Sequence, residues 1–385
     1  MSPFDFQCPT RIVFGPGRLA ELGVLTAGLD VKRALVVSDP GIEEAGHTQR
    51  GIESLQAAEL QTLVFDGLQE NPTTDNVEQG RAVAADYQPE VIVAIGGGSS
   101  MDCAKGINFV HSCGGRMQDY WGVGKATGPM LPMVAVPTTA GTGSEAQSFA
   151  LISDAESHAK MACGDKRAAF RIAILDPELT LTQPERVTAL TGIDAVSHTV
   201  ETLVSRKRNQ LSMAFSREAW RLLSQGLPRV FDDPADLVAR GWVQQGACFA
   251  GLAIENSMLG SAHALANPLT AAYGIVHGQA VGVMLPHVVG HNAERSEGVQ
   301  RAYEELGDEL ILPDGADATQ SRNEVQRFLT DLLRDAGLAG TLGELSVEKA
   351  KLPELAADAA TQWTGTFNPV EMTADDYLKL YEAAY

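Results

Sequence analysis

The chain has 385 residues, of which 44% are hydrophobic and 20% charged, so its composition is that of a globular protein and excludes a disordered chain or a fibre. Its 49 acidic and 29 basic residues give a formal net charge of −20, and this negative field disfavours binding to nucleic acid or to an anionic membrane surface. At about 150 residues per domain, the length predicts two domains.

The sequence favours a cytoplasmic location. It contains no apolar run long enough for a transmembrane helix, and residues 1–5 lack the basic and apolar segments of a secretory leader. The five cysteines are odd in number and widely scattered, without the spacing of a disulfide framework or a zinc knuckle. We therefore expect free thiols in a reducing compartment.

The first half of the chain alternates short apolar runs with amphipathic stretches. The apolar runs are rich in β-branched residues and end at glycine, proline or aspartate, as buried parallel strands do. They lie at residues 34–39, 63–65, 91–95 and 133–136. The amphipathic stretches between them include residues 51–58 and 74–87. This alternation predicts an α/β fold in which helices cover a parallel sheet.

After Asp176-Pro177 the strand-like runs give way to long helical patterns. These patterns lie at residues 194–205, 210–225, 235–256, 324–336 and 375–384. A turn-rich segment, residues 176–184, separates the two regions. The sequence therefore predicts an α/β N-terminal domain at residues 1–182 and an all-helical C-terminal domain at residues 183–385.

A phosphate-binding signal follows the apolar run at residues 91–95. Gly97, Gly98 and Ser99 lead into a helical stretch, so free N–H groups and the positive end of a helix dipole meet where no β-carbon blocks an anion. A second loop, residues 137–145, follows the run at 133–136 and is dense in hydroxyls and glycines. Loops at the ends of neighbouring parallel strands form the ligand crevice of open α/β sheets, which predicts a dinucleotide site.

Asp39 ends an earlier predicted strand of the same sheet. A carboxylate at such a strand end can accept hydrogen bonds from ribose hydroxyls, and it repels the 2′-phosphate of NADP. The position of this residue therefore predicts NAD as the cofactor.

A second group of residues has the spacing of a metal site. Asp194 and His198 lie four residues apart, on one face of a predicted helix. His263 and His277 follow, and a proline and a glycine between them predict a broken helix and a turn that bring both imidazoles to one ion. Three imidazoles and one carboxylate suit iron(II) or zinc and do not suit calcium or magnesium.

Several motifs along the chain occur together in one known family. They are residues 9–15, residues 96–99 with Asp102 and Lys105, residues 137–145 and 175–180, residues 192–195 with His198 and Glu201, residues 260–263 and 277–278, and Asn368-Pro369. Through them the chain resembles the iron-dependent (group III) alcohol dehydrogenases over nearly its whole length. The motif at residues 137–145 is highly specific to that family.

The resemblance implies a Rossmann-like N-terminal domain and an all-α C-terminal domain, an architecture shared with dehydroquinate synthase. It implies an NAD-dependent, iron-containing enzyme that transfers hydride between NAD(H) and a small alcohol or aldehyde, and a homodimer or higher homo-oligomer. The implied metal ligands are Asp194, His198, His263 and His277. The implied cofactor contacts are Asp39, Asn71, Gly97, Gly98, Ser99, Asp102, Thr138, Thr139, Thr142, Lys160 and Leu179.

The sequence departs from the family pattern at two positions near the metal residues. Asn267 stands where many members have a histidine that relays a proton, and Val281 stands where an asparagine is common. Asparagine forms hydrogen bonds but does not titrate near neutral pH. Asn267 is therefore an expected active-site residue that cannot itself carry the proton of the alcohol.

Two other functions remain open from the sequence. Sugar-phosphate cyclases of the dehydroquinate synthase type also use NAD and a metal, but they need a basic cluster for the substrate phosphate, and basic residues near the metal ligands are few beyond positions 206–208. A non-catalytic NAD-binding protein is the second alternative. The strong negative charge favours neutral alcohols, diols or aldehydes over anionic substrates.

Overall fold

A computed structural model of the chain describes residues 3–157, 159–310 and 318–385. The chain forms two compact units, of which one spans residues 7–183 and the other spans residues 184–385 and includes residues 3–6. Among the described residues, no helix has both the length and the apolar character that crossing a bilayer requires.

The N-terminal unit alternates strands and helices in chain order. Its elements are β1 (Arg11–Phe14), α1 (Leu22–Ala27), β2 (Arg33–Val37), α2 (Pro40–Glu44), α3 (His47–Ala57), β3 (Gln61–Phe65), α4 (Thr74–Tyr87), β4 (Val91–Gly96), α5 (Gly98–Cys113), β5 (Gly122–Val123), β6 (Met133–Pro137), β7 (Phe149–Ser153), β8 (Lys160–Gly164) and β9 (Ile172–Leu175). Within the described residues, six strands form a parallel sheet in the order β1-β9-β6-β4-β2-β3. A smaller sheet in the order β5-β8-β7 contains the antiparallel pair β7–β8.

The central strands of the large sheet are buried on both faces. In β4, Val93 and Ile95 belong to one apolar cluster, whereas Ile92 and Ala94 belong to the cluster on the opposite face. A strand covered on both faces reads as a continuous apolar run in the sequence. Strands occur at all of the predicted runs, as β2, β3, β4 and β6, and the predicted parallel α/β fold is confirmed.

The strand order places a topological switch point between β2 and β4. The chain adds β3 on one side of β2 and then returns to add β4 on the other side. Ligands of open α/β sheets bind outside the carboxyl ends of the strands at such a point. Asp39 follows the end of β2, and Gly97 and Gly98 follow the end of β4, so both predicted cofactor elements lie at this switch point.

The described part of the C-terminal unit is helical. Its helices are α6 (Glu185–Val204), α7 (Gln210–Asp232), α8 (Leu237–Ser257), α9 (Ser261–Tyr273), α10 (His277–Arg295), α11 (Glu297–Asp308), α12 (Ala318–Asp335), α13 (Leu352–Ala359) and α14 (Ala374–Ala383). Helix α6 packs against α7, α8 and α10, and its residues are buried on almost every side. Phe6 from the N-terminal segment stacks on Phe215 of α7, with the ring centroids 5.8 Å apart.

The structure corrects two predicted helix boundaries. Helix α6 begins at Glu185, earlier than the predicted start at residue 194, because its second and third turns, from Thr188 to Ile193, pack largely in the interior despite their threonine and glycine residues. The helix break predicted from Pro268 and Gly274 is present between α9 and α10, but it lies at Gly274 alone, since Pro268 lies inside α9. Burial of most of α9 outweighs the backbone hydrogen bond that a proline removes. Gly274 does end this helix, with a left-handed φ of 66°.

Candidate metal and cofactor sites

Helix α6 supplies the first two side chains of the candidate metal site. Asp194 and His198 are one helical turn apart, so their side chains lie on the same face. Both residues are buried, and His198 Nε2 lies 3.4 Å from Asp194 Oδ1. The spacing that suggested a metal site therefore produces adjacent donor atoms.

Two further imidazoles approach the same carboxylate oxygen. His263 is the third residue of α9 and His277 is the first residue of α10. Their Nε2 atoms lie 3.5 Å and 3.8 Å from Asp194 Oδ1. The donor atoms of Asp194, His263 and His277 are all within 4.8 Å of one another. The structure thus brings together the four side chains that the sequence nominated from three separate helices.

The spacing of these donors fits a divalent cation. Donors about 2.1 Å from an ion at the corners of a tetrahedron are about 3.4 Å apart, close to the distances observed here. In the described part of the chain, Asp194 Oδ1 and His263 Nε2 are buried and have no hydrogen-bond partner. Buried polar atoms are rarely left unpaired, so their orientation towards a common point is typical of a metal site.

The electrostatic environment of the centre also favours a cation. Burial opposes ionisation of Asp194, but His198, His277 and His263 hold its pKa well below the usual range. Burial likewise opposes protonation of His263, yet Glu201 and Asp194 raise its pKa to about 9. Carboxylates that attract a proton to this centre stabilise a metal ion there for the same reason.

Glu201, to which the sequence analysis assigned no role, contacts the candidate metal site through His263. It lies on the same face of α6 as His198, three residues further along. Its Oε2 accepts a hydrogen bond from His263 Nδ1 at 2.6 Å. Its place three residues after His198 and seven after Asp194 is the signal that could have identified it, because those spacings share one helix face.

Asn267, the predicted active-site departure, lies one turn after His263 on α9. Its Nδ2 donates a hydrogen bond to Gln362 Oε1 at 2.9 Å. The amide is half-buried and held by this neighbour. It therefore occupies a fixed position beside a metal-site imidazole without adding an ionisable group.

The predicted glycine turn forms the start of α5. Gly97 is the N-cap, and Gly98 and Ser99 lie in the first turn of the helix, where the N–H groups have no intrahelical acceptor. A β-carbon on Gly98 would lie 2.7 Å from Thr142 Cγ2, and one on Gly97 would lie 3.2 Å from Thr139. The two loops predicted to bind the dinucleotide are therefore in direct contact.

Two other predicted cofactor residues, Asp39 and Asn71, contact this turn. Asp39 Oδ2 accepts a hydrogen bond from Ser100 Oγ at 3.2 Å, and its Oδ1 caps α2 at the Ile42 N–H. The backbone N–H of Asn71 donates to Ser99 Oγ at 3.2 Å. These contacts join the loops after β2, β3 and β4 at the switch point.

Thr138 is a predicted cofactor residue with a side-chain hydroxyl that forms no hydrogen bond to any described residue. The residue is buried, and its backbone N–H donates to Gly96 O at 2.9 Å. Within the described residues its hydroxyl has no hydrogen-bond partner. A buried hydroxyl beside a glycine turn fits a cofactor that supplies the missing partner.

Asp102 and Lys105 form a buried polar network beneath the cofactor loops. Asp102 Oδ1 accepts from Ser144 Oγ at 2.7 Å and its Oδ2 accepts from Leu151 N at 3.2 Å. Lys105 is fully buried and donates to Ser144 O, Ser144 Oγ and Phe149 O at 2.7–2.9 Å. Burial raises the pKa of Asp102, and Lys105 opposes that shift. Asp102 thus supports the loop at residues 137–145 through protein contacts.

The last two predicted cofactor residues are Lys160 and Leu179, whose described interactions are with residues outside the glycine turn. Lys160 is exposed at the start of β8, and its charge weakly opposes the rise that burial causes in the pKa of Asp102. Leu179 is buried in a short 3₁₀ turn, Pro177–Thr180, within the same apolar cluster as Val93 and Ile95. The structure places Leu179 in the core of the N-terminal unit.

A chain with a dinucleotide-type turn and an imidazole–carboxylate centre has the parts of a metal-dependent dehydrogenase. Its sequence matches two family models, "Iron-containing alcohol dehydrogenase" over residues 9–177 and "Fe-containing alcohol dehydrogenase family, C-terminal" over residues 188–385. The chain therefore belongs to the iron-containing alcohol dehydrogenase family.

Individual relatives agree with this membership. The chain is 34% identical to alcohol dehydrogenase 4 of Schizosaccharomyces pombe, covering 98% of this chain and 88% of the relative. It is 31% identical to the NAD-dependent methanol dehydrogenase of Bacillus methanolicus, covering 99% of both chains. The crystal structure of a 1,3-propanediol oxidoreductase is similar over 100% of both chains, with a TM-score of 0.95 and 30% identity.

Family membership confirms the predicted enzyme class, an NAD-dependent oxidoreductase that acts on small alcohols. It also confirms the predicted fold, a parallel-sheet α/β unit with a helical C-terminal unit. The two alternatives from the sequence, a sugar-phosphate cyclase and a non-catalytic NAD-binding protein, are not favoured.

Proposed function

We propose that this protein transfers hydride between NAD(H) and a small neutral primary alcohol or diol, or the corresponding aldehyde, with one iron(II) or zinc ion. The observation that carries the proposal is the approach of three imidazole Nε2 atoms to Asp194 Oδ1, at 3.4 Å, 3.5 Å and 3.8 Å. Three neutral nitrogen donors and one carboxylate oxygen are the ligand set that borderline divalent metals prefer.

Asp194, His198, His263 and His277 hold the ion in this proposal. The bound cation supplies Lewis-acid polarisation of the alcohol or carbonyl oxygen, and NAD takes up or delivers the hydride. His277 is the most exposed of these residues, with 28% of its side chain accessible against 10% or less for the others. We therefore assign the side of the centre next to His277 as the one that admits substrate.

The glycine turn and the loop at residues 137–145 hold NAD in this proposal. The N–H groups of Gly98 and Ser99 at the start of α5 would hold the pyrophosphate, and a bound cofactor would supply the partner that the Thr138 hydroxyl lacks among the described residues. Asp39 stands at the carboxyl end of β2, where it accepts from the ribose hydroxyls and repels a 2′-phosphate. Asn71, Thr139, Thr142, Lys160 and Leu179 complete the proposed binding region, and Asp102 supports its loop.

Asn267 does not take the proton of the alcohol in this proposal. Its amide is held by a hydrogen bond to Gln362 and carries no charge that titrates near neutral pH. Water or the ribose hydroxyls of a bound cofactor would take the proton instead. In this proposal, the proton route of this protein differs from that of relatives that have a histidine at the position of Asn267.

The preference for neutral substrates rests on charge. A net charge of −20 repels anions, and the relatives described above are named for neutral substrates, methanol and 1,3-propanediol. We further propose a cytoplasmic location and a homodimer in which the edge strand β1, which pairs with β9 alone among the described strands, contributes to the interface. Sedimentation of the purified protein tests the homodimer.

The function is tested by reconstitution. The purified protein is stripped with a chelator and reloaded with iron(II), zinc or magnesium. Turnover of ethanol, 1-butanol, 1,3-propanediol and an anionic hydroxy acid is then followed by NADH absorbance, with NADP in parallel. We expect activity with iron or zinc, NAD and the neutral alcohols. Activity that is independent of metal, or confined to the hydroxy acid, contradicts the proposal.

A further inference from the structure

The N-terminus of α9, which carries His263, is held by side chains from other parts of the unit. Glu201 of α6 accepts hydrogen bonds from Ala262 N through Oε1 at 2.6 Å and from Gly260 N through Oε2 at 3.1 Å. These are N–H groups of the first turn, which have no acceptor within their own helix. A carboxylate at this end is also favoured by the helix dipole. Glu201 therefore caps α9 from outside.

The same carboxylate fixes the ring of His263. An ionised carboxylate only accepts hydrogen bonds, so the 2.6 Å contact between Glu201 Oε2 and His263 Nδ1 places the imidazole proton on Nδ1. The lone pair of the neutral ring is then on Nε2, the atom directed at Asp194. Glu201 is itself buried, so water does not compete for these contacts.

A pair of asparagines extends this arrangement to the third ligand helix. Asn368 Oδ1 accepts from Ser261 N at 3.4 Å and from Asn292 Nδ2 at 3.1 Å, and Asn368 Nδ2 donates to Asn292 Oδ1 at 2.9 Å. Asn292 lies on α10, the helix that begins at His277. The buried network of Glu201, Asn368 and Asn292 thus links α6, α9 and α10, which carry the four proposed ligands.

We infer that Glu201 is a positioning residue that selects the metal-binding tautomer of His263 and fixes its distance from Asp194. This inference rests on the proposed function, because it assumes that the centre binds a metal. It assigns to Glu201 an effect on metal affinity and coordination geometry, beyond the capping of a helix.

The variant Glu201→Gln separates these roles because it keeps the size of the side chain and removes one acceptor. A glutamine has one acceptor oxygen, so it cannot satisfy both the helix N–H groups and His263 Nδ1–H. If its NH₂ group faces the ring, it donates to Nδ1 and drives the ring proton to Nε2, which then cannot bind a metal. If its oxygen faces the ring, the NH₂ group opposes the N–H of Ala262, which donates to Oε1 in the wild type.

The control variant is Asp236→Asn. Asp236 caps α8 by accepting from Val238 N and Ala239 N at 3.0 Å, as Glu201 caps α9, but it has no contact with the proposed ligands. Both variants weaken a carboxylate cap at the start of a helix in the same unit. A difference between them in metal binding therefore reports on the contact with His263.

The experiment measures Co²⁺ binding to metal-free wild type, Glu201→Gln and Asp236→Asn by chelator competition, together with the visible absorption of the bound Co²⁺. We expect a 10- to 100-fold lower affinity and an altered spectrum for Glu201→Gln, as for other residues that orient metal-bound histidines. We expect Asp236→Asn to have the same Co²⁺ affinity and the same absorption spectrum as the wild type. Equal affinity and equal spectra for wild type and Glu201→Gln overturn the inference and leave the metal site standing. A wild type that binds no Co²⁺ overturns both the metal site and the inference.

A measurement on the wild type does not depend on the folding of any variant. Histidine-selective ¹⁵N labelling of the zinc-loaded protein reports which ring nitrogen of His263 carries the proton. We expect Nδ1–H with a slowly exchanging, strongly deshielded proton, as a buried 2.6 Å hydrogen bond to a carboxylate produces. A zinc-bound His263 with its proton on Nε2 overturns the inference.

Discussion

Gly278, the second residue of α10, packs directly against the backbone of Leu190 in α6, so that a β-carbon at position 278 would overlap the Leu190 carbonyl oxygen. This close approach brings the start of α10, and with it His277, to the helix that carries Asp194. A glycine is required here because a backbone atom, unlike the end of a flexible side chain, cannot move aside cheaply.

The first prediction concerns this contact. Gly278→Ala should push the start of α10 away from α6 and displace His277 from Asp194. We expect at least a 10-fold loss of metal affinity and a parallel loss of activity, measured by Co²⁺ competition and by NADH absorbance. Gly298→Ala is the control, because a β-carbon at position 298 meets no atom within 4 Å. Unchanged metal affinity in Gly278→Ala would show that His277 does not depend on this packing.

The second prediction concerns removal of the metal. The metal-free centre leaves Asp194 Oδ1 and His263 Nε2 buried without hydrogen-bond partners among the described residues. A ligand that binds only the folded state, at a concentration of about 1,000 times its Kd, stabilises that state by about 4 kcal/mol. We expect the melting temperature to fall on chelation and to recover with iron(II), zinc or Co²⁺. Recovery with magnesium would contradict the prediction, because imidazole nitrogens are poor ligands for magnesium.

The central strands β2, β4 and β6 were predictable because they are buried on both faces, whereas the buried strand β9 was not predicted. Val91 to Ile95 form an uninterrupted apolar run, and a parallel strand between two layers of helices needs apolar side chains in both directions. The small antiparallel pair, β7 with β8, was missed. Strand β8 ends in small residues, Ala162, Cys163 and Gly164, so its sequence lacks the periodicity of a half-buried strand.

The metal residues were predictable where their spacing is local. Asp194 and His198 share a helix face at a spacing that the sequence displays directly. The positions of His263 and His277 depend on how α9 and α10 pack against α6, which no local pattern contains. Glu201 was recognisable as a family motif residue, but its hydrogen bond to His263 depends on that same packing.

The third prediction concerns the contact between the two cofactor loops. Gly98→Ala places a β-carbon 2.7 Å from Thr142 Cγ2, so Thr142 must rotate away from its contact with Ser144 N. Overpacking of this kind costs about 1–3 kcal/mol, which corresponds to about a 5- to 150-fold weaker cofactor site. We expect a higher KM for NAD with unchanged Co²⁺ affinity. Gly128→Ala, with nothing within 4 Å of the added carbon, is the control. An unchanged KM for NAD in Gly98→Ala would place the cofactor elsewhere.

The fourth prediction concerns the buried Lys105. Lys105→Met removes the donor to Ser144 and Phe149 and leaves Asp102, whose side chain is only 13% exposed, without its neighbouring cation. Breaking a buried pair by removing one partner costs about 3–5 kcal/mol, so we expect the unfolding midpoint of the N-terminal unit to fall. The double variant Asp102→Asn/Lys105→Met leaves no unpaired charge. Its loss in the free energy of unfolding should therefore be smaller than the sum of the losses in the two single variants. Strictly additive losses in denaturant titrations would show that the two side chains are not coupled.

The fifth prediction concerns the proton route. Asn267 is held by Gln362 beside His263 and does not titrate, so the wild type has no ionisable side chain at this position. Asn267→His introduces a group with an unperturbed pKa of about 6.5. The neutral imidazole accepts a proton and its protonated form does not, so we expect kcat for alcohol oxidation to gain a component that rises with pH through this region. Asn267→Ala is the matched control, because it loses the same hydrogen bond to Gln362 without adding an ionisable group. Parallel pH profiles for the histidine and alanine variants would show that the alcohol proton does not pass position 267.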